Sequence, residues 1–167
     1  MPLGFKPNIT HEVLASWEQD GKLDGIVTQN IDGLHQAAGS ENVIELHGSV
    51  HRNYCVRCGK VYGLKYILES EEVPHCKSCA GLVRPDVVLY GESLDNEALC
   101  LAEDIIYNAD VMIVGGTSLT VHPASSLVYD YQGEHLIIIN KSPTPFDAYA
   151  EYVIRDSISD VLTQLVE

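Results

Sequence analysis

The sequence predicts an α/β fold: a parallel sheet with helices on both faces, interrupted by a small four-cysteine zinc-binding insert. Three observations carry that expectation. Short, continuous apolar runs such as Val111-Met112-Ile113-Val114 and Leu136-Ile137-Ile138-Ile139 alternate with helical patterns, as in strands buried on both faces and joined by helical crossovers. Residues 50–84 change character: they hold two Cys-x2-Cys pairs, several tyrosines and few long apolar runs. The 167 residues suit one domain, or one domain with an insert, and the 46% apolar content supplies a core.

The elements follow in order. Pro7-Asn8 opens an amphipathic helix whose Ile9, Val13, Leu14 and Trp17 recur at helical spacing, and Gly21 can end it. Gly25-Ile26-Val27-Thr28 and Val43-Ile44-Glu45-Leu46 read as short strands, and residues 86–90 return to buried-strand composition after the insert. Ser93 or Asp95 caps a helix with Leu99, Ala102, Ile105 and Ile106 on its apolar face; Cys100 is read as a small core residue there. Residues 111–114 form a strand running into Gly115-Gly116-Thr117-Ser118, and Pro123 starts a short helix through Tyr131. Strands follow at 136–139 and 152–154. Ser157 and Asp160 resemble a capping box for a last helix with Ile158, Val161, Leu162 and Leu165 inward.

Composition bounds the partners. Ten Lys+Arg face 24 Asp+Glu, a formal charge of -14, which argues against direct nucleic-acid binding because that requires a basic footprint. The balance permits a basic peptide as substrate, and equally describes an ordinary acidic protein. The opening residues MPLGFKPN lack the apolar run of a leader, and no stretch approaches the roughly 18 apolar residues of a membrane span. A cytoplasmic protein with no membrane partner is expected. In that reducing compartment, paired cysteines read as metal ligands before disulfides.

The strongest motif is Cys55-x2-Cys58 and Cys76-x2-Cys79, separated by 17 residues. Two tight turns bring four thiolates to one tetrahedral, closed zinc site, which leaves no position open for substrate and so serves structure. The alternatives are two disulfides or free thiols. Four further segments each follow a predicted strand, at the carboxyl edge where open α/β sheets bind ligands. Thr28-Gln29-Asn30-Ile31-Asp32-Gly33-Leu34-His35 offers amide and carboxylate, or a turn. Glu45-Leu46-His47-Gly48 offers a histidine that is either a general base or a hydrogen-bonded structural residue. Gly116, Thr117 and Ser118 offer amides and hydroxyls to phosphate or ribose, and Asn140-Lys141-Ser142 meets a ribose or simply turns.

Taken together these segments, with Arg84-Pro85-Asp86-Val87-Val88-Leu89-Tyr90-Gly91-Glu92 and Gly116-Thr117-Ser118-Leu119, occur in the order seen in sirtuins. The chain resembles that family of NAD-dependent protein-lysine deacylases from about Lys6 to its last helix. The resemblance implies a Rossmann-like NAD-binding domain over 1–49 and 85–167 and a zinc module over 50–84. It implies NAD and a structural Zn2+ as cofactors, and an acylated-lysine protein or peptide as substrate. His47 would be the general base acting on a ribose hydroxyl while the acyl oxygen attacks the ribose carbon and nicotinamide leaves, giving O-acyl-ADP-ribose and free lysine. Gln29, Asn30, Ile31 and Asp32 would line the ribose and nicotinamide pocket, and Gly116, Thr117 and Ser118 would hold phosphate and ribose. Asn140, Lys141 and Ser142 would meet the adenosine ribose, with Ser157 and Ile158 near the adenine. Val88, Tyr90, Gly91 and Glu92 would pair with the substrate peptide as an added strand; Tyr90 stands where the family often has Phe. The family's opening strand, its Gly-Ala-Gly-Ile-Ser loop and its Pro-Asp-Phe-Arg segment have no counterpart in this sequence. Their lack predicts two unpaired strand edges with uncovered apolar surface. Deacylation, nucleotide or acyl-lysine binding without turnover, and ADP-ribosyl transfer are therefore the activities to weigh.

Overall fold

The computed structural model describes residues 4–165. Residues 1–3, the start of the stretch read as leader-free, and residues 166–167 lie outside the described residues. The chain opens with α1 (Ile9–Gln19), started by a reciprocal cap in which Asn8 Oδ1 accepts from His11 N and His11 Nδ1 accepts from Asn8 N. Then come β1 (Ile26–Thr28), α2 (Leu34–Ala38), β2 (Val43–Glu45) and β3 (Gly48–Cys55). The middle holds β4 (Val61–Gly63), α3 (Leu64–Leu68), β5 (Val83–Val87) and α4 (Asn96–Asn108). The last part holds β6 (Val111–Gly115), β7 (His135–Ile139), β8 (Tyr152–Ile154) and α5 (Ile158–Gln164).

The parallel sheet is present in two pieces. β1 pairs with β2, Ile26 opposite Val43, and β6, β7 and β8 lie side by side with Val111 opposite His135 and Ile137 opposite Tyr152. Among the described residues, β1 and β6 are each hydrogen-bonded on one side only, and Val111 and Ile113 of β6 are 48% and 39% exposed. That is the pair of open edges the sequence predicts. The two pieces are joined through side chains. One apolar cluster gathers Ile44, Leu46, Ala102, Ile106, Ala124 and Leu127; a second gathers Val114, Val128, Leu136, Ile138 and Phe146; Met112 and Tyr131 pack against both. Ile138 and Leu162 are 0% and 1% exposed, and full burial of such a side chain contributes about 1.5–3 kcal/mol.

A third sheet is antiparallel, in the order β4-β3-β5, and forms the scaffold of the cysteine module. It corrects the strand expected over 86–90. That strand runs over Val83–Val87 and pairs with β3, not with the parallel sheet. It stops because the Leu89 N–H bonds the Glu92 carboxylate and Gly91, at φ +86, turns the chain.

Four smaller expectations also change. The residues after Pro123 form a 3-10 turn over Ala124–Asp130, not an α-helix. Ser157 begins α5 without a side-chain cap, and the Ser157 N–H, which Asp160 would take in a capping box, donates instead to Asp156 Oδ1 at 2.7 Å. Cys100 is exposed, since the inward stripe of α4 runs through Leu99, Ala102 and Ile106 and a neighbour about 100° round the helix points away. Leu165 is 62% exposed, beyond the last turn of α5.

Candidate active site and zinc centre

The cysteines meet as their spacing requires. The four Sγ atoms of Cys55, Cys58, Cys76 and Cys79 lie within 4.8 Å of one another. The Cys55–Cys79 and Cys58–Cys76 sulphur pairs are 3.5 and 3.6 Å apart, far beyond a disulfide bond and close to the edge of a tetrahedron with Zn–S of about 2.3 Å. The backbone N–H of Arg57 points at Cys55 Sγ and that of Ser78 at Cys76 Sγ, both at 3.4 Å. Amides aimed at sulphur stabilise thiolate, so a structural zinc fits this site. Sequence reasoning missed one contributor. The Tyr62 hydroxyl donates to Cys76 Sγ at 3.1 Å and accepts from Lys77 N at 2.8 Å. Its partner lies 14 residues on, so only the folded hairpin shows the contact; a tyrosine in an apolar-poor metal module was the available signal.

β3 leads from this module directly to His47, and a glycine makes the join possible. Gly48 has φ +74, and a Cβ on it would stand 2.0 Å from the Asp86 carbonyl oxygen. β3 and β5 therefore close on one another immediately beside His47. The His47 carbonyl accepts from Val88 N at 3.0 Å, which ties the histidine to the segment leaving β5. On its other side, His47 Nδ1 is 3.0 Å from the Gln29 carbonyl oxygen. A carbonyl only accepts, so Nδ1 carries a proton and, in the neutral ring, Nε2 keeps the free lone pair.

The 28–35 segment is held on the same side. Asn30 N donates to Thr28 Oγ1 at 3.1 Å, Val50 N to the Ile31 carbonyl at 3.0 Å, and Leu34 N to Asp32 Oδ1 at 3.0 Å. His51 Nε2 donates to the Asp32 carbonyl at 2.9 Å, beneath Gly33. This leaves Asn30 exposed and Gln29, Ile31 and Asp32 half-buried. Gln29, Asn30, Ile31, Asp32, His47 and Val88 thus form one cluster.

The second cluster lies at the carboxyl ends of β6, β7 and β8. Gly116 N donates to the Ile139 carbonyl and Asn140 N to the Ile154 carbonyl. A Cβ on Gly115 would stand 2.3 Å from Ile158 Cδ1, whereas Gly116, at φ +64, has open space above it. Thr117 and Ser118 follow, with Ser118 Oγ 2.8 Å from Thr120 Oγ1. Asn140 Nδ2 donates to the Ser142 carbonyl at 2.8 Å, and Lys141 is exposed. Gly116, Asn140, Lys141, Ser142 and Ile158 therefore share one sheet edge, with Ser157 half-buried at the start of α5.

The segment after β5 is a turn, not a strand. Tyr90 is fully exposed, and among the described residues its main-chain N–H and C=O make no hydrogen bond. Glu92 faces inward to its own loop. Its carboxylate takes both terminal nitrogens of Arg84, at 2.5 and 2.9 Å, and Leu89 N at 2.9 Å. The Arg84 guanidinium, with that amide, holds the Glu92 carboxyl down at about 2. Arg84, present in the motif but given no role by the sequence, therefore shapes the turn that presents Tyr90.

Comparison with known proteins identifies this arrangement. The Sir2 family model matches residues 1–123. An NAD-dependent protein deacetylase of Clostridium tetani is 55% identical over 97% of this chain and 66% of its own length. One from Clostridium acetobutylicum is 54% identical over 96% and 66%, respectively. The chain thus spans just under two thirds of these relatives. Among solved structures, Sir2 with a p53 peptide and NAD+ superposes with a TM-score of 0.92 at 42% identity, covering 98% of this chain and 70% of that one. Sir2 bound to an acetylated peptide gives 0.90 at 41%, covering 98% and 71%. Among the described residues no helix is long and apolar enough to cross a membrane. The chain belongs to the Sir2 family.

Proposed function

We propose that the chain is an NAD-dependent protein-lysine deacylase, with His47 as its general base, a zinc module over 50–84 and a nucleotide-binding part over 1–49 and 85–167. The observation that carries this reading is the hydrogen bond from His47 Nδ1 to the Gln29 carbonyl. It fixes the tautomer and orientation that leave Nε2 as a proton acceptor beside the 29–32 segment.

The residues present suit NAD at two places. Open space above Gly116 lets a polar ligand approach the backbone, and the Thr117 and Ser118 hydroxyls, Asn140 and Lys141 supply donors and acceptors for phosphate and ribose. Gln29, Asn30, Ile31 and Asp32 would take the nicotinamide end, and Ser157 and Ile158 the adenine. When bound, NAD supplies the ribose carbon that takes the acyl group as nicotinamide departs. His47 Nε2 would accept the proton of a ribose hydroxyl, and the Gln29 carbonyl would steady the resulting imidazolium through Nδ1–H. The open main-chain groups of Tyr90 would bind an acyl-lysine peptide as an added strand, while Arg84 and Glu92 keep that turn in shape. The zinc supplies no chemistry; it holds β3, and with it His47, against β5. A cytoplasmic setting is proposed from the four thiols held for a metal.

The test is nicotinamide release from NAD in the presence of an acetyl-lysine peptide. Wild type should release it in a peptide-dependent way, and His47→Ala should lose at least about 100-fold, the usual value of a positioned base. Equal rates for the two proteins would sink the reading. The open edges of β1 and β6 favour a second reading, in which the nucleotide is held without turnover. Calorimetric binding of ADP-ribose with no nicotinamide release would select it.

A further inference from the structure

We propose that Arg155 is a positioning residue that sets the 140–147 loop for the adenosine end of a nucleotide; this rests on the nucleotide reading above. The loop leaves β7 after Ile139 and carries Asn140, Lys141 and Ser142. Four hydrogen bonds within the loop and to β8 give it a shape. Asn140 N donates to the Ile154 carbonyl at 3.0 Å. Asn140 Nδ2 donates to the Ser142 carbonyl at 2.8 Å. At the far end, Thr144 N and Oγ1 both donate to the Asp147 carboxylate, at 3.1 and 2.7 Å.

Arg155 joins the two ends. One guanidinium nitrogen donates to the carbonyls of both Asn140 and Ser142, at 3.3 and 3.2 Å, and the other bonds Asp147. The side chains of Arg155 and Asp147 are 36% and 25% exposed, so the pair is partly withdrawn from solvent. Three acceptors on one planar fork are a task for arginine; a lysine ammonium is a single point that cannot span them in the same geometry.

The pairing also says what Arg155 does not do. Its charge is matched by Asp147 and its donors are directed to the loop, so it is not arranged to grip a phosphate. Its bonds occupy the carbonyls of Asn140 and Ser142, and the Asn140 side-chain amide nitrogen is itself spent on the Ser142 carbonyl. What the loop then offers outward is Asn140 Oδ1, the Lys141 ammonium and the Ser142 hydroxyl, the set suited to ribose and base.

The experiment compares wild type, Arg155→Ala and Arg155→Lys by calorimetry with ADP-ribose, by steady-state kinetics and by amide hydrogen exchange of residues 141–146 in the free protein. Both variants should bind ADP-ribose about tenfold more weakly, the loss of one charged donor set, and raise KM for NAD to match. Both kcat and the peptide KM should stay within about twofold, and the loop amides should exchange faster. Failure of Arg155→Lys to rescue separates a geometric role from one of charge. If Arg155→Ala does not fold, Arg155→Lys decides alone. Unchanged ADP-ribose affinity in the folded variants overturns the proposal and leaves the nucleotide reading intact. A wild type that binds no ADP-ribose overturns both, and faster loop exchange in the variants would then mark Arg155 as structural only.

Discussion

The substitution Tyr62→Phe removes one oxygen from the zinc module and leaves its packing intact. The ring is stacked on Tyr66, with centroids 4.5 Å apart at 27°, and phenylalanine preserves that contact. Two hydrogen bonds are lost. The Lys77 amide at 2.8 Å can turn to water, since Lys77 is exposed. The bond to Cys76 Sγ at 3.1 Å has no replacement, because Cys76 is only 4% exposed. That donor lies one bond outside the metal ligands and holds the Cys76 thiol well below its ordinary value, while the same contact pushes the Tyr62 phenol up. The phenol therefore stays a donor throughout the neutral range. Loss of such a partner typically costs about 10–100-fold in metal affinity. The assay is competition for zinc against a chromophoric chelator at neutral pH, with the release rate followed in the same mixture. Affinity within about twofold of wild type would refute the reasoning that this hydroxyl stabilises the bound thiolate. So would an equal loss in Tyr66→Phe, whose hydroxyl bonds the His75 carbonyl and no sulphur.

Two further outcomes follow from contacts near the histidine. Gly48→Ala must hold a side chain at φ +74 and push the Asp86 carbonyl from 2.0 Å; the strain and overpacking should cost about 2–4 kcal/mol in urea unfolding, and a loss below about 0.5 kcal/mol would show that β3 and β5 do not close there. Glu92 has a folded pKa of about 2 against an ordinary 4.5. Its contribution to stability is thus complete above about pH 4.5 and disappears as pH falls toward 2. The gap in melting temperature between wild type and Glu92→Gln should be largest above about pH 5, narrow as pH falls below about 4.5 and close only below about pH 2; a gap independent of pH would contradict the Arg84 pairing.

The sequence made the cysteine cluster and the strands of the parallel sheet legible for different reasons. Cysteine spacing in a tight turn constrains where sulphur can go, so Cys55, Cys58, Cys76 and Cys79 could be paired from the sequence alone. Continuous apolar runs likewise announced β6 and β7. Residues 86–90 were misjudged because a short apolar run does not reveal its partner. Val83–Val87 joined β3 in an antiparallel sheet, and a side chain eight residues on, Glu92, closed the turn. Cys100 and Leu165 were misplaced because helix rotation and the last turn decide exposure over a single residue. Tyr62, Arg84 and Arg155 act through contacts that only the fold creates, with a sulphur, backbone carbonyls and the Glu92 and Asp147 carboxylates as partners, so their residue types alone assigned them no such role.

The reaction proposed for His47 and the surrounding strand ends is acyl transfer onto ADP-ribose. The most direct measurement is mass spectrometry of the products when wild-type chain, zinc-loaded, is incubated with NAD and an acetyl-lysine peptide. One O-acetyl-ADP-ribose and one nicotinamide are expected for each lysine freed, and none of the three products with His47→Ala. Free lysine accompanied by acetate, with NAD intact, would contradict it.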